Sequence, residues 1–176
     1  MEVQPIGKNQ NNLDKWTFWL LMIYVSVLVW IILLKFGVQF SYMENRKINL
    51  IPFANGYYDK TETIMNVVIF IPLGIYATSL FKRWAFNTQL IFFFLMGLIL
   101  ESLQYLLKIG TFDITDLLTN TTGGIIGYLG FWTIRKLTQD HQKSQKFFNI
   151  LSSVGTLTIL LLLILLKLEM LPIRYR

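Results

Sequence analysis

The chain has 176 residues, of which 54% are hydrophobic and 15% charged, against about a quarter charged in an ordinary soluble domain. The missing charge is missing from five long apolar runs, so the composition excludes a soluble globular protein and leaves a single membrane domain over residues 1–176, with no room in the loops for a second core. The net charge of +6 sits on Lys and Arg between the runs, which suits membrane lipids as partners and excludes a nucleic-acid surface; the absence of Cys and the single His141 exclude disulfides and Cys- or His-built metal sites, and no cofactor is implied.

A membrane span needs about 20 apolar residues, because the hydrocarbon core is about 30 Å thick and a helix rises about 1.5 Å per residue. Five segments meet this and predict an all-α polytopic bundle of about five transmembrane helices, over residues 16–34, 64–81, 90–107, 114–132 and 150–166. The first follows Lys15, is too long for a signal-peptide core and has no small-residue cleavage site after it, so it is read as a permanent helix. The second and fourth are less purely apolar than the first and fifth, which predicts that they face protein on more sides. The connection 35–63 is the longest and holds Arg46, Lys47, Pro52, Asn55 and Gly56. Residues 82–89 form a short basic turn, 108–113 a tight turn in which Gly110 suits a left-handed cap, and 135–146 a basic, polar loop. Lys and Arg divide evenly between the two sides, but 82–89 and 135–146 are the denser short segments. That density predicts an N-terminus inside and a C-terminus outside.

Several polar residues lie where apolar ones are expected. Glu101 interrupts the third run, followed by Ser102 and Gln104. A carboxylate at membrane depth costs on the order of 3 kcal/mol, so it is expected to face the bundle interior. Asp113, Asp116 and Asn120 recur at spacings that put them on one stripe of the fourth helix. The first two also suit a helix N-cap and first turn; Asn120, about two turns deeper, does not. Folding the chain back at Gly110 brings Glu101 to about the depth of Asn120, with Gln104 and Asp116 nearer the surface. The expectation is one polar pocket of Glu101, Gln104, Asp113, Asp116 and Asn120, with Arg46, Asn49 and Asn66 as partners and no metal assigned. A purely structural network of hydrogen bonds between helices competes with this reading. Gly123 and Gly127 form a G-x-x-x-G pair, with Gly124 and Gly130 nearby, which lets another helix approach closely. Pro72 interrupts the second helix, with Asn66 and Gly74 on either side.

Taken in order, Asn49-Leu50-Ile51-Pro52-Phe53, Asn66-Val67-Val68-Ile69-Phe70-Ile71-Pro72-Leu73-Gly74, Glu101-Ser102-Leu103-Gln104 and Gly110-Thr111-Phe112-Asp113-Ile114-Thr115-Asp116, through Asn120 to Gly123-Gly124, resemble the VanZ family of bacterial membrane proteins. The resemblance covers residues 45–135, helices two to four, flanked by the helices at 16–34 and 150–166, which carry no matching motif. It implies a protein of the bacterial cell membrane linked to reduced susceptibility to lipoglycopeptide antibiotics of the teicoplanin type.

Three functions are compatible with these residues. The first is an antibiotic-resistance protein whose pocket handles an amphiphile, either the lipoglycopeptide or a lipid-linked wall precursor. The second is a membrane enzyme in which Glu101, Asp113 and Asp116 act as general acid and base or hold a hard divalent cation; His141, in the basic loop, is expected on the opposite side. The third is a transporter of a small solute or lipid. With no visible internal duplication, an inverted-repeat transporter would require a homo-oligomer.

Overall fold

The computed structural model describes residues 6–34, 48–53, 60–107 and 111–167. Five helices follow one another there: α1 (Ile6–Leu34), α2 (Lys60–Leu80), α3 (Phe86–Leu106), α4 (Ile114–Thr138) and α5 (His141–Lys167). Two short strands, β1 (Ile48–Asn49) and β2 (Phe112–Asp113), pair in parallel, with Ile48 opposite Phe112 and Asn49 opposite Asp113. Apart from that bridge the regular structure among the described residues is all-helical. α2 and α3 are each long and apolar enough to cross a membrane.

The helices outrun the apolar segments that announce them. α1 begins at Ile6 and α5 at His141, so both helices extend into polar flanks, where Gln10, Asp14 and Gln145 hydrogen-bond to one another. The stretch 135–146, read above as a loop, is the end of one helix and the start of the next. Only Gln139 and Asp140 separate α4 from α5. Gln139 takes the left-handed conformation (φ 53°) that reverses the chain. Asp140 Oδ1 then accepts hydrogen bonds from the backbone N–H groups of Gln142 (2.8 Å) and Lys143 (3.3 Å), capping α5. α3 closes differently: Leu107 is right-handed and its N–H donates to the Leu103 carbonyl at 2.9 Å. Gly110, expected as a left-handed cap, lies outside the described residues. α2 continues through Pro72. In the turn that Pro72 disturbs, the Ile69 carbonyl accepts from the Tyr24 hydroxyl at 2.7 Å, the kind of neighbouring donor that lets a proline remain in an apolar helix.

The most extensive packing is between α2 and α4, the two segments expected to be most enclosed. Glycines make it close. A Cβ on Gly127 would overlap the Ile71 carbonyl oxygen, one on Gly123 the Val67 carbonyl oxygen, and one on Gly74 the Gly124 carbonyl oxygen. Since Val67 meets Gly123 and Ile71 meets Gly127, the two helices run parallel. α3 packs antiparallel against the other side of α4, with Phe93 on Gly124 and Gly97 on Leu117 and Asn120. Leu28, Phe70, Leu73, Ala77, Phe93 and Leu100 form the buried centre where α1, α2 and α3 meet. α1 lies on α2 and α5, and α5 touches α4. Large apolar side chains remain exposed on every helix, among them Trp19, Ile64, Leu95, Leu129 and Leu157.

The backbone contacts at Gly127 cannot yield as a flexible side chain would. Gly127→Ala is expected to lower stability by about 1–3 kcal/mol through overpacking, read as a lower thermal midpoint of the purified protein. Gly130 has nothing within 4 Å of a Cβ, so Gly130→Ala should leave the midpoint unchanged or raise it, alanine being better in a helix by about 0.5–1 kcal/mol.

Candidate functional site

At the end of the bundle where α4 begins, Glu101 and Gln104 of α3 and Asp113 at the start of α4 are all buried. Asp113 is the N-cap: its backbone is extended and its Oδ1 accepts from the Thr115 N–H at 2.7 Å. Its own N–H donates to Glu101 Oε2 at 3.2 Å, so the carboxylate that interrupts α3 is tied to the entry of α4. The second oxygen of Asp113 accepts from Asn49 Nδ2 at 3.0 Å. Asn49 is thereby held twice, by this bond and by the strand pairing with Asp113. Its Oδ1 accepts from the Ile51 N–H (3.2 Å), and the Phe53 N–H donates to Thr115 Oγ1 (3.0 Å). The segment 48–53 is thus clamped over the α3–α4 end. Phe53 takes a positive φ of 56°, and the clamp leaves Leu50 66% and Ile51 69% exposed.

The helix register places the remaining candidates. Gly97 faces Asn120 and Phe93 faces Gly124, so one further turn along both helices brings Glu101 level with Asp116. Asp116 is half-buried in the first turn of α4. Asn120 is buried, opposite Gly97, about one turn deeper than Glu101 rather than at the same depth. Its side-chain oxygen lacks a hydrogen-bond partner among the described residues. Asn66, half-buried on α2, precedes Val67, whose carbonyl lies against Gly123. That puts it on the α2 face packed against α4, near the height of Gly123. Arg46 lies outside the described residues. Among the described residues no group of three or more His, Asp or Glu side chains is placed to hold a metal ion.

A second polar cluster, which the apolar-run reading missed, occupies the opposite end. Gln145 Nε2 donates to Asp14 Oδ1 (2.9 Å) and Thr17 Oγ1 (2.7 Å), and Thr17 Oγ1 donates to Asn149 Oδ1 at 3.0 Å. Gln10 Nε2 donates to Asp14 Oδ1 (2.7 Å) and to Gln145 Oε1 (2.9 Å). Lys82 Nζ lies 2.9 Å from both Asp14 oxygens. Burial alone would raise the Asp14 carboxyl. The bonds from Gln145, Lys82 and Gln10 and the Lys82 charge outweigh it and hold the group below the ordinary carboxylate value. Positions 10, 14 and 17 with 145 and 149 do carry a signal, since they repeat at helical spacing, but they lie in or beside polar flanks that look like loop. His141 belongs to this end too, donating from Nε2 to the Ser79 carbonyl (3.1 Å) with its ring against Phe131. Burial, then the charge of Lys82, pushes its pKa below the ordinary histidine value. His141 and the Glu101–Asp113 pair therefore stand at opposite ends of α4.

The model of the VanZ/LLP1 family matches residues 20–136. Protein VanZ of Enterococcus faecium is 35% identical over 150 residues, covering 82% of this chain and 89% of that protein. This chain belongs to the VanZ/LLP1 family. No solved structure matches it. The VanZ/LLP1 match takes in the residues of the Glu101–Asp113 end and extends earlier than the 45–135 core inferred from motifs. It leaves out α5 and the start of α1, where most of the second polar cluster lies.

The Asn49–Asp113 bond can be tested by a double-mutant cycle. Asn49→Ala and Asp113→Ala should each lower stability, the second by about 0.5–2 kcal/mol because it also removes a helix cap. The double variant should fall short of their sum by at least about 0.5 kcal/mol in thermal or denaturant unfolding. Strict additivity would show that the loop is not held by this bond.

Proposed function

We propose that this chain is a multi-pass protein of the bacterial cell membrane that lowers susceptibility to lipoglycopeptide antibiotics of the teicoplanin type, its polar end handling an amphiphile. Kinship with Protein VanZ supports the resistance reading. The five-span reading is supported by large apolar side chains exposed on all five helices, since soluble monomers rarely expose apolar patches beyond a few hundred Å². In that reading α1, α3 and α5 run outward, α2 and α4 inward, and the Glu101–Asp113 end faces the cell exterior.

The observation that carries the proposal is the burial of Glu101 against the Asp113 N–H, beneath a loop that Asn49 clamps in place. An acidic cluster is costly inside an apolar bundle, and here it lies directly below exposed Leu50, Ile51 and Phe53. Polar groups beneath apolar side chains suit an amphiphile, with its head on the cluster and its chain on the loop. The antibiotic and a lipid-linked wall precursor both have that form. Enzymatic acid–base chemistry at this end would have to rest on the carboxylates, because His141 is at the other end of α4.

The test is Glu101→Gln, nearly isosteric and still able to accept the Asp113 N–H. With membrane abundance unchanged, the variant should lose the protection against teicoplanin that the parent chain gives on expression, measured as the minimum inhibitory concentration. Retained protection at normal abundance would reject the role of Glu101. Orientation is tested separately on the naturally Cys-free chain. Thr111→Cys should react with a membrane-impermeant maleimide on intact cells. Labelling only after permeabilisation would invert the assignment.

A further inference from the structure

Beside the hydrogen-bonded ladder between α1 and α5, the same two helices leave a groove of about 450 Å³. One wall is the α1 face bearing Asn9, Asn12 and Trp16, and the other is the start of α5 with Asp140, Lys143 and Lys146. The charges do not cancel. The Asp140 carboxylate is turned onto the N–H groups of Gln142 and Lys143, where the positive end of its own helix holds it. Lys143 and Lys146 are exposed, and among the described residues neither is paired with a carboxylate. The indole of Trp16 is fixed as a wall by donating from Nε1 to Ser153 Oγ at 3.2 Å. Trp16 also stands where the polar start of α1 gives way to its apolar run, with exposed Trp19 beyond it. That is the position of a tryptophan at a membrane–water interface.

We propose that this groove binds the phosphodiester headgroup of an anionic phospholipid in the inner leaflet, with Lys143 and Lys146 on the phosphate, Asn9 and Asn12 at its polar rim, and the acyl chains along the Trp16–Trp19 side of α1. The site is remote from the Glu101–Asp113 end and independent of any role in resistance; it requires only that the chain spans the membrane with this end inside. Two ammonium groups at headgroup depth suit one phosphate shared between them, and each Lys near an anionic surface contributes enough for the pair to change occupancy by about thirtyfold.

The experiment uses the full chain in nanodiscs of mixed phosphatidylglycerol and phosphatidylcholine, released into mild detergent, with retained lipids counted by native mass spectrometry. The parent chain should retain phosphatidylglycerol over phosphatidylcholine. The Lys143→Gln/Lys146→Gln variant should lose that preference by about thirtyfold. Lys136→Gln is the control, because the Lys136 ammonium sits 3.9 Å over the Trp132 ring, and it should keep the preference. Equal retention of the two lipids by the parent chain, or an equal loss in Lys136→Gln, would overturn the site. So would displacement of the lipid by millimolar inorganic phosphate, which would mark a free-anion site. Retention of neither lipid would overturn the site as well.

Discussion

The approach of α2 to α4 through glycine is the constraint on which the rest of the structure depends. At Gly74, Gly123 and Gly127 the two helices come so close that a single added carbon would strike a carbonyl of the partner. Apolar side chains alone cannot specify such a contact, because in an apolar surrounding one leucine is as good a neighbour as another; close backbone approach can. It makes α2 and α4 parallel although they are not consecutive, with α3 returning between them in sequence. Gly124 and Gly97 extend the principle, the first admitting Phe93 and the second admitting Leu117 and Asn120. With both faces of α4 locked in this way, the heights of its polar residues are determined.

Those heights sort the polar side chains into two layers with an apolar middle. In one layer the N-cap of α4, the carboxylate of α3 and the first loop share Asp113 as a common partner. In the other, Asp14 and Gln145 join α1 and α5 to the Lys82 turn. Asn120 belongs to neither layer by contact. Its buried side-chain oxygen is the one polar atom on the α3–α4 seam without a partner among the described residues, and an unsatisfied group there costs about 1–3 kcal/mol. A bundle selected only for stability would carry an apolar side chain against Gly97, which makes Asn120 hard to explain as packing.

Much of this was legible because the physics behind it is local. A run such as 90–107 announces a helix by length and apolarity, and Asp113 announces a cap by its position before a helix. The G-x-x-x-G pair announces a close partner without naming it, and that partner proved to be α2. What escaped was non-local or masked by composition. The β1–β2 bridge joins Asn49 to Asp113 across 64 residues, and two-residue strands leave no periodic trace. The depth of Asn120 was misjudged because a count from the Gly110 turn ignores how Gly97 and Phe93 choose the register. The helical ends within 135–146 were hidden because polarity reads as loop, although Gln145 and Asn149 keep the spacing of a helix face.

The two polar layers also stand differently to the span matched by the family model. The Glu101–Asp113 layer lies wholly within the span matched by the VanZ/LLP1 family, whereas Gln10, Asp14, Thr17, Gln145 and Asn149 lie outside it. α5 is joined to the start of α1 by hydrogen bonds and to the matched span by His141 on the Ser79 carbonyl and by the rings of His141 and Phe148 on Phe131. Directional bonds of this kind set the register of α5 on α1 without help from the glycine seam.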